Sequence, residues 1–197
     1  MKIKELFESD GRHITFCFGR MNPPTMGHEQ VFKTMKNVGG DLKIFLSQTQ
    51  DKKKNPLDYT TKLHFIRQMF PEYQRYIEDN PSLNTFGKVC SYLYDQGFAH
   101  VTLVAGDDRL PGMKKLLEDY NGIEGKAHGY YKFETIDAKS SGARDPDSDG
   151  IEGVSSSKAK EAAAGGDLEK FTAATGAGQF AEAMYKAVRH GMGIKGT

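Results

Sequence analysis

Apolar and polar positions along the chain follow two alternating rhythms. Residues 13–18 and 42–47 are short, mostly apolar runs of the kind that form buried strands. Residues 101–105, Val101-Thr102-Leu103-Val104-Ala105, are apolar except for Thr102. Residues 131–137 alternate apolar and polar, and residues 75–79 read as a further short strand. Between these runs the period lengthens to that of a helix. Val31, Phe32, Met35 and Val38 share one face of a predicted helix over 29–38, which Gly39-Gly40 ends. Leu63, Ile66, Met69 and Phe70 do so over 59–70, which Pro71 stops. Leu83, Phe86, Cys90 and Leu93 turn inward from a helix over 83–95, capped by Gly97, and another helix runs over 110–120. Helices are also expected to begin at Ser155 and near Asp167, and a last one over 179–190 carries Phe180, Met184 and Val188 on one face. Strands alternating with helices imply a parallel sheet with helices on both faces. Ligands of such sheets sit beyond the carboxyl ends of the strands, where the strand order reverses.

The chain is organised around the stretch just after its first strand: Gly19-Arg20-Met21-Asn22-Pro23-Pro24-Thr25-Met26-Gly27-His28. The order is strand, tight loop, helix start. Free N–H groups and the positive end of a helix dipole there converge on one spot, which suits a polyphosphate. Gly19 and Gly27 carry no Cβ to obstruct a ligand, and Pro23 and Pro24 stiffen the loop between them. Arg20, Thr25 and His28 add a fixed cation, a hydroxyl and an imidazole, a set suited to holding charge rather than to forming a covalent bond. His28, following Gly27 at a helix start, is expected to be partly exposed. A second run of hydroxyls, Val154-Ser155-Ser156-Ser157-Lys158-Ala159-Lys160, leads into a strong helix former and makes a second anion cradle.

These two segments carry a family resemblance. Thr25-Met26-Gly27-His28 resembles the (H/T)xGH signature of the nucleotidyltransferase superfamily, and residues 154–160 resemble its second signature, ISSTxxR. The flank Gly19-Arg20-Met21-Asn22-Pro23 is most similar to the nicotinamide mononucleotide adenylyltransferases, in a phage- or archaeal-like version. The resemblance implies a Rossmann-like, doubly wound α/β fold with five parallel strands in the order 3-2-1-4-5. It also implies transfer of AMP from ATP to nicotinamide mononucleotide, making NAD, by in-line attack on the α-phosphorus with release of pyrophosphate. His28 would contact the α-phosphate, Thr25 would donate a hydroxyl hydrogen bond and Arg20 would reach the triphosphate. Gly19, Asn22 and Gly27 would help to bind the nucleotide, as would Ser155, Ser156, Ser157, Lys158 and Lys160 at the β- and γ-phosphates. Gly106 and Asp108 match a GxD after the fourth strand, and Lys54 is the candidate for a basic position after the second, with Lys52 and Lys53 as alternatives. Lys160 stands where the family has arginine, keeping the charge without the bidentate fork. Mg²⁺ is expected to arrive with the ATP. Other readings are a cytidylyltransferase or another adenylyltransferase of this fold, or a non-catalytic nucleotide-binding or virion assembly protein that kept it.

Composition narrows the partners. With 27 Lys+Arg against 26 Asp+Glu and a net charge of +1, nothing supports general nucleic-acid or membrane binding. At 197 residues the chain reads as residues 1–12, an amphipathic N-terminal segment; 13–170, the nucleotide domain; and 171–197, a helical tail. The N-terminal segment is a candidate docking tag, and a homo-oligomer is possible through it. Cys17 and Cys90 fall in a predicted strand and helix as buried thiols of a reducing compartment. No apolar run approaches the ~18 residues of a membrane span. These features point to the cytoplasm, that of the host if the chain is phage-encoded. Asp145-Pro146-Asp147-Ser148-Asp149-Gly150 mimics the start of a calcium loop, but Ser156 stands where its bidentate glutamate belongs, so it reads as a polar loop.

Overall fold

A computed structural model describes residues 11–142 and 154–196. Residues 1–10 of the expected N-terminal segment and the acidic loop at 145–150 lie outside the described residues, whereas Arg12 already belongs to the first strand. Four strands, β1 (Arg12–Gly19), β2 (Asp41–Leu46), β3 (Phe98–Ala105) and β4 (Thr135–Ser140), form one parallel sheet in the order β2-β1-β3-β4. The helices are α1 (Glu29–Val38), α2 (Tyr59–Met69), α3 (Phe86–Asp95), α4 (Leu110–Asp119), α5 (Ser156–Ala164), α6 (Leu168–Thr175) and α7 (Ala181–Gly191).

Strand alternation divides the core into two faces. Ile14 and Phe16 of β1, Phe45 of β2, and Val101 and Leu103 of β3 pack against Val89, Cys90 and Leu93 of α3 and Met113 and Leu117 of α4. The intervening residues point the other way: Cys17, Ile44, Leu46 and Val104 meet Val31, Phe32 and Met35 of α1 and Leu63 and Ile66 of α2. Burying each such large side chain is worth about 1.5–3 kcal/mol. Both faces of the central strands are therefore covered, and the sheet is doubly wound. Cys17 and Cys90 are both free and buried, and burial pushes the Cys90 thiol above its usual range. No described helix is long and apolar enough to cross a membrane.

The sheet has four strands where five were expected. In residues 75–79 only Ile77 is buried. One inward side chain sustains one bridge, Ile44↔Ile77, with Glu78 N–H donating to the Ile44 carbonyl at 2.9 Å. After Pro71 the chain coils into 3₁₀ turns over Pro71–Tyr76 instead. The four strands that remain keep the expected relative order. The last begins four residues later than the alternation over 131–137 predicts. Tyr131 and Phe133 are buried as that pattern requires. The main chain of Phe133, however, is held by the Asn121 side chain, whose Oδ1 accepts from Phe133 N–H at 2.8 Å and whose Nδ2 donates to its carbonyl at 3.2 Å.

α5, α6 and α7 build a third core from Ala159, Ala163, Phe171, Met184 and Val188, closed by Leu57 and by Phe65 of α2. The boundary expected at residue 170 runs through this cluster. α7 approaches the sheet domain so closely that a Cβ on Gly191 would lie 1.9 Å from the Pro56 carbonyl oxygen. Gly191→Ala must therefore push α7 off the 56–57 segment, and overpacking of this kind costs about 1–3 kcal/mol. At Gly112 in α4 an added Cβ meets nothing within 4 Å. There Gly112→Ala should stabilise by about 0.4–1 kcal/mol. Urea denaturation of the two variants is expected to give opposite signs.

Candidate functional site

The loop after β1 leaves the sheet at Gly19, which pairs with Leu46, the last residue of β2. Arg20 is exposed, but Met21, Asn22, Pro23, Pro24 and Thr25 are buried. A buried stretch without regular structure must find partners for its backbone groups one at a time. Asn22 supplies one set. Its Oδ1 accepts from Leu57 N–H and its Nδ2 donates to the Leu57 carbonyl, both at 2.9 Å. Lys62 of α2 supplies another: its Nζ donates to the carbonyls of Arg20 and Ser47, each at 2.6 Å. Between these anchors Met21 is held at φ 44°, a left-handed conformation that costs a non-glycine residue about 1–3 kcal/mol. Strain of this sort persists only where its surroundings impose it, as the bonds on either side do here.

The loop then enters a 3₁₀ turn over Met26–His28 that runs straight into α1. His28 is 1% exposed, not partly exposed as its position at a helix start suggested. Its ring folds back on Thr25: Thr25 N–H lies 2.9 Å from Nδ1, and Thr25 Oγ1 lies 3.2 Å from it. The Thr25 carbonyl, which can only accept, also lies 3.1 Å from Nδ1, so this nitrogen sits between a main-chain donor and a main-chain acceptor, and either neutral tautomer keeps one of the two bonds. Neither conformation nor packing requires glycine at 27. A Cβ there would lie 3.4 Å from Thr25 Oγ1 and 3.7 Å from Val154, both ordinary contacts.

The second serine-rich segment sits against this loop. Ser155 caps α5, its Oγ accepting from Lys158 N–H at 3.4 Å, while its own N–H donates to the Ala174 carbonyl at 2.8 Å. Ser156 Oγ donates to the Pro23 carbonyl at 2.8 Å, joining the two segments directly. Ser157 is exposed, Lys158 is half-buried, and Lys160 Nζ donates to the Lys54 carbonyl at 2.7 Å. Burial lowers the Lys160 pKa; the nearby charges of Arg20 and Lys54 lower it further, and Asp51 opposes them. Arg20, Lys54 and Lys160 thus form one basic cluster from three separate stretches of chain. The Lys54 turn is shaped by Asp51, whose carboxylate accepts from the N–H groups of Lys53 and Lys54 and from the Asn55 amide. Those bonds, led by that from Lys54, hold the Asp51 pKa down to about 2.

Gly106 is buried just beyond β3, three residues after Leu103; Gly19 stands three residues after Phe16, the β1 partner of Leu103. The two loops therefore leave neighbouring strands at one level, at the position where the strand order reverses. Asp108 is exposed there. Its neighbour Asp107 accepts from Ser140 Oγ at the end of β4. Among the described residues no three His, Cys, Asp or Glu side chains gather to hold a metal ion. A cleft of about 330 Å³ lies at the opposite end of the sheet, lined in part by Arg12, Asp41, Lys43 and Phe98. Arg12 is paired there with Asp41 and Lys43 with Glu78, so its charges are already matched.

The structure thus brings together Gly19, Arg20, Thr25, Gly27, His28, Lys54, Ser155, Ser156 and Lys160. Asn22 is turned inward onto Leu57, where it positions the loop. Sequence reasoning missed Lys62, which is fully buried. Its signal was spacing: Lys62 precedes Leu63 and lies four residues before Ile66, on the apolar face of α2. No protein-family model matches the chain, and a search of curated proteins returns no match.

Burial pushes the Lys62 pKa from 10.5 down to about 8. Between those values the unfolded chain binds more protons than the folded one, so stability from this group rises with pH. It is fully present above about 10.5 and lost as pH falls through 8. Measured against Lys62→Met by urea denaturation, wild type should gain up to about 3 kcal/mol between pH 8 and pH 10.5. A flat difference would show that Lys62 titrates normally.

Proposed function

We propose that this chain is a nucleotidyltransferase that moves AMP from ATP to a phosphorylated acceptor, nicotinamide mononucleotide foremost, with release of pyrophosphate. The observation that carries the reading is the junction of the two segments. Ser156 bonds to Pro23, and Lys160 shares an electrostatic environment with Arg20 and Lys54, although they lie far apart in sequence. Two helix starts and three cations then face one region, and a triphosphate is the ligand whose length and charge match such a double cradle.

In that reaction an acceptor phosphate oxygen forms a bond to the α-phosphorus, while the bond from that phosphorus to the oxygen bridging to the β-phosphate breaks. The acceptor is already an anion, so no strong base is needed. The work is positioning and stabilisation of charge. Arg20, Lys54 and Lys160 would hold the departing pyrophosphate, Gly27 would let the chain approach closely, and His28 Nε2 would donate to the α-phosphate. Mg²⁺ would come with the triphosphate. The burial of His28 means that the groups covering it must move aside for that contact. The same burial favours one rival, a module that binds nucleotide without transferring it.

Incubation with ATP or CTP, Mg²⁺ and a panel of phosphorylated acceptors should release pyrophosphate, most rapidly with ATP and nicotinamide mononucleotide. Tight nucleotide binding without pyrophosphate release from any acceptor of the panel would establish the non-catalytic rival. His28→Asn places a carbonyl oxygen near the position of Nδ1, keeping an acceptor for Thr25 N–H, but removes Nε2. It should lower kcat by about 10²–10³ with ATP Kd within a few-fold of wild type. A kcat within a few-fold of wild type would make His28 purely structural. Gly27→Ala fits the fold by the contacts above and should leave urea stability unchanged or slightly raised. Its methyl group should weaken ATP binding at least tenfold, and unaltered affinity would place the nucleotide elsewhere.

A further inference from the structure

Lys62 is fully buried, and among the described residues it has no carboxylate partner. Its hydrogen-bond acceptors are the carbonyls of Arg20 and Ser47, the first residues beyond the carboxyl ends of β1 and β2. The surrounding elements carry Arg20, Asp51, Lys54 and Lys160, and its own helix and cap carry Asp58, His64 and Arg67; none is bonded to it through a side chain. Buried charge is ordinarily paired, because leaving it unpaired forfeits its hydration without compensation. Here the cation stands at the mouth of the sheet, directly behind the loop proposed to hold a triphosphate. The Arg20–Met21 peptide is trans, so turning its carbonyl toward Lys62 turns Met21 N–H the other way.

We infer that Lys62 is a positioning residue whose counter-ion is the ligand: the anion seated on the 19–28 loop supplies the negative charge that the protein withholds. Lys62 acts through the Arg20 peptide, fixing which way its carbonyl and the following N–H point, and through its charge at short range. The inference rests on the proposed nucleotide site and identifies a part of it that neither motif contains.

The geometry has two consequences. Bound anion favours the charged amine, so binding near pH 8.5, just above the value to which burial lowers this lysine, draws in protons. Removing the charge weakens binding most where the lysine is charged. The experiment is calorimetric titration with Mg²⁺-free ATP in buffers of different ionisation enthalpy, from pH 7 to 10.5, with circular dichroism as a check on folding. Lys62→Met should bind ATP about tenfold or more weakly at pH 7, and the deficit should shrink towards pH 10.5 as the wild-type amine loses its charge, with the variant's proton uptake lost. Lys62→Gln keeps an amide donor for one carbonyl without charge, and it should behave like the methionine variant; it also carries the test if Lys62→Met does not fold. Lys160→Met removes the other lysine lowered by burial, so uptake that survives in it belongs to Lys62. Wild-type affinity in Lys62→Gln at pH 7, or uptake that vanishes in Lys160→Met and persists in the Lys62 variants, overturns this inference and leaves the nucleotide site standing. Failure of wild type to bind ATP overturns the proposed function and this inference together.

Discussion

The molecule depends on one constraint: a loop without regular secondary structure is buried across the ends of β1 and β2, and its backbone polar groups must all be answered. Helices and strands satisfy their own N–H and C=O groups, whereas residues 20–25 rely on side chains reaching in from elsewhere. Asn22 binds the Leu57 main chain, Lys62 takes the carbonyls of Arg20 and Ser47, and Ser156 takes that of Pro23. An unanswered buried polar group costs about 1–3 kcal/mol, so these few side chains set the shape of the loop more firmly than its prolines do. The left-handed backbone at Met21 is held by the same contacts.

That constraint explains why the C-terminal helices belong to the site. Ser156 lies in the first turn of α5, Lys160 one turn further on, and Gly191 at the end of α7 lets that helix touch Pro56 beside the Leu57 anchor. The small side chains Ala159, Ala162 and Ala163 let α5 pack closely into the third core with Phe171 and Val188. Helix packing far from the loop is thereby converted into the placement of a hydroxyl and a lysine around it. The electrostatic result is a basic cluster of Arg20, Lys54 and Lys160, restrained by Asp51, in front of a buried cation at Lys62.

Much of this was legible in the sequence because it is periodic or locally encoded. The strands at 13–18 and 101–105, the helix at 29–38 and the serine cap at 155 arise from apolar spacing and capping chemistry, and each is present. The strand expected at 75–79 does not form, because that stretch carries one inward residue, Ile77, and pairing needs more than one. The start of the last strand was misjudged for a different reason. Tyr131 and Phe133 are buried by side-chain packing while the Asn121 amide holds the Phe133 main chain, and burial alone does not report pairing. In the site, residue types and motif order were readable, but orientation was not. His28 folds back on Thr25, Asn22 faces inward, and Lys62 hides on an apolar helix face because its partners are carbonyls rather than side chains.

The proposed function requires the two segments to form one anion site at the carboxyl end of the sheet. A crystal structure with ATP and Mg²⁺ tests it most directly. The triphosphate should span residues 19–28 and 155–160, with its α-phosphate beside Gly27 and His28 and its outer phosphates among Arg20, Lys54, Ser155 and Lys160. A nucleotide seated at the opposite end of the sheet, in the cleft lined by Arg12 and Lys43, would contradict it.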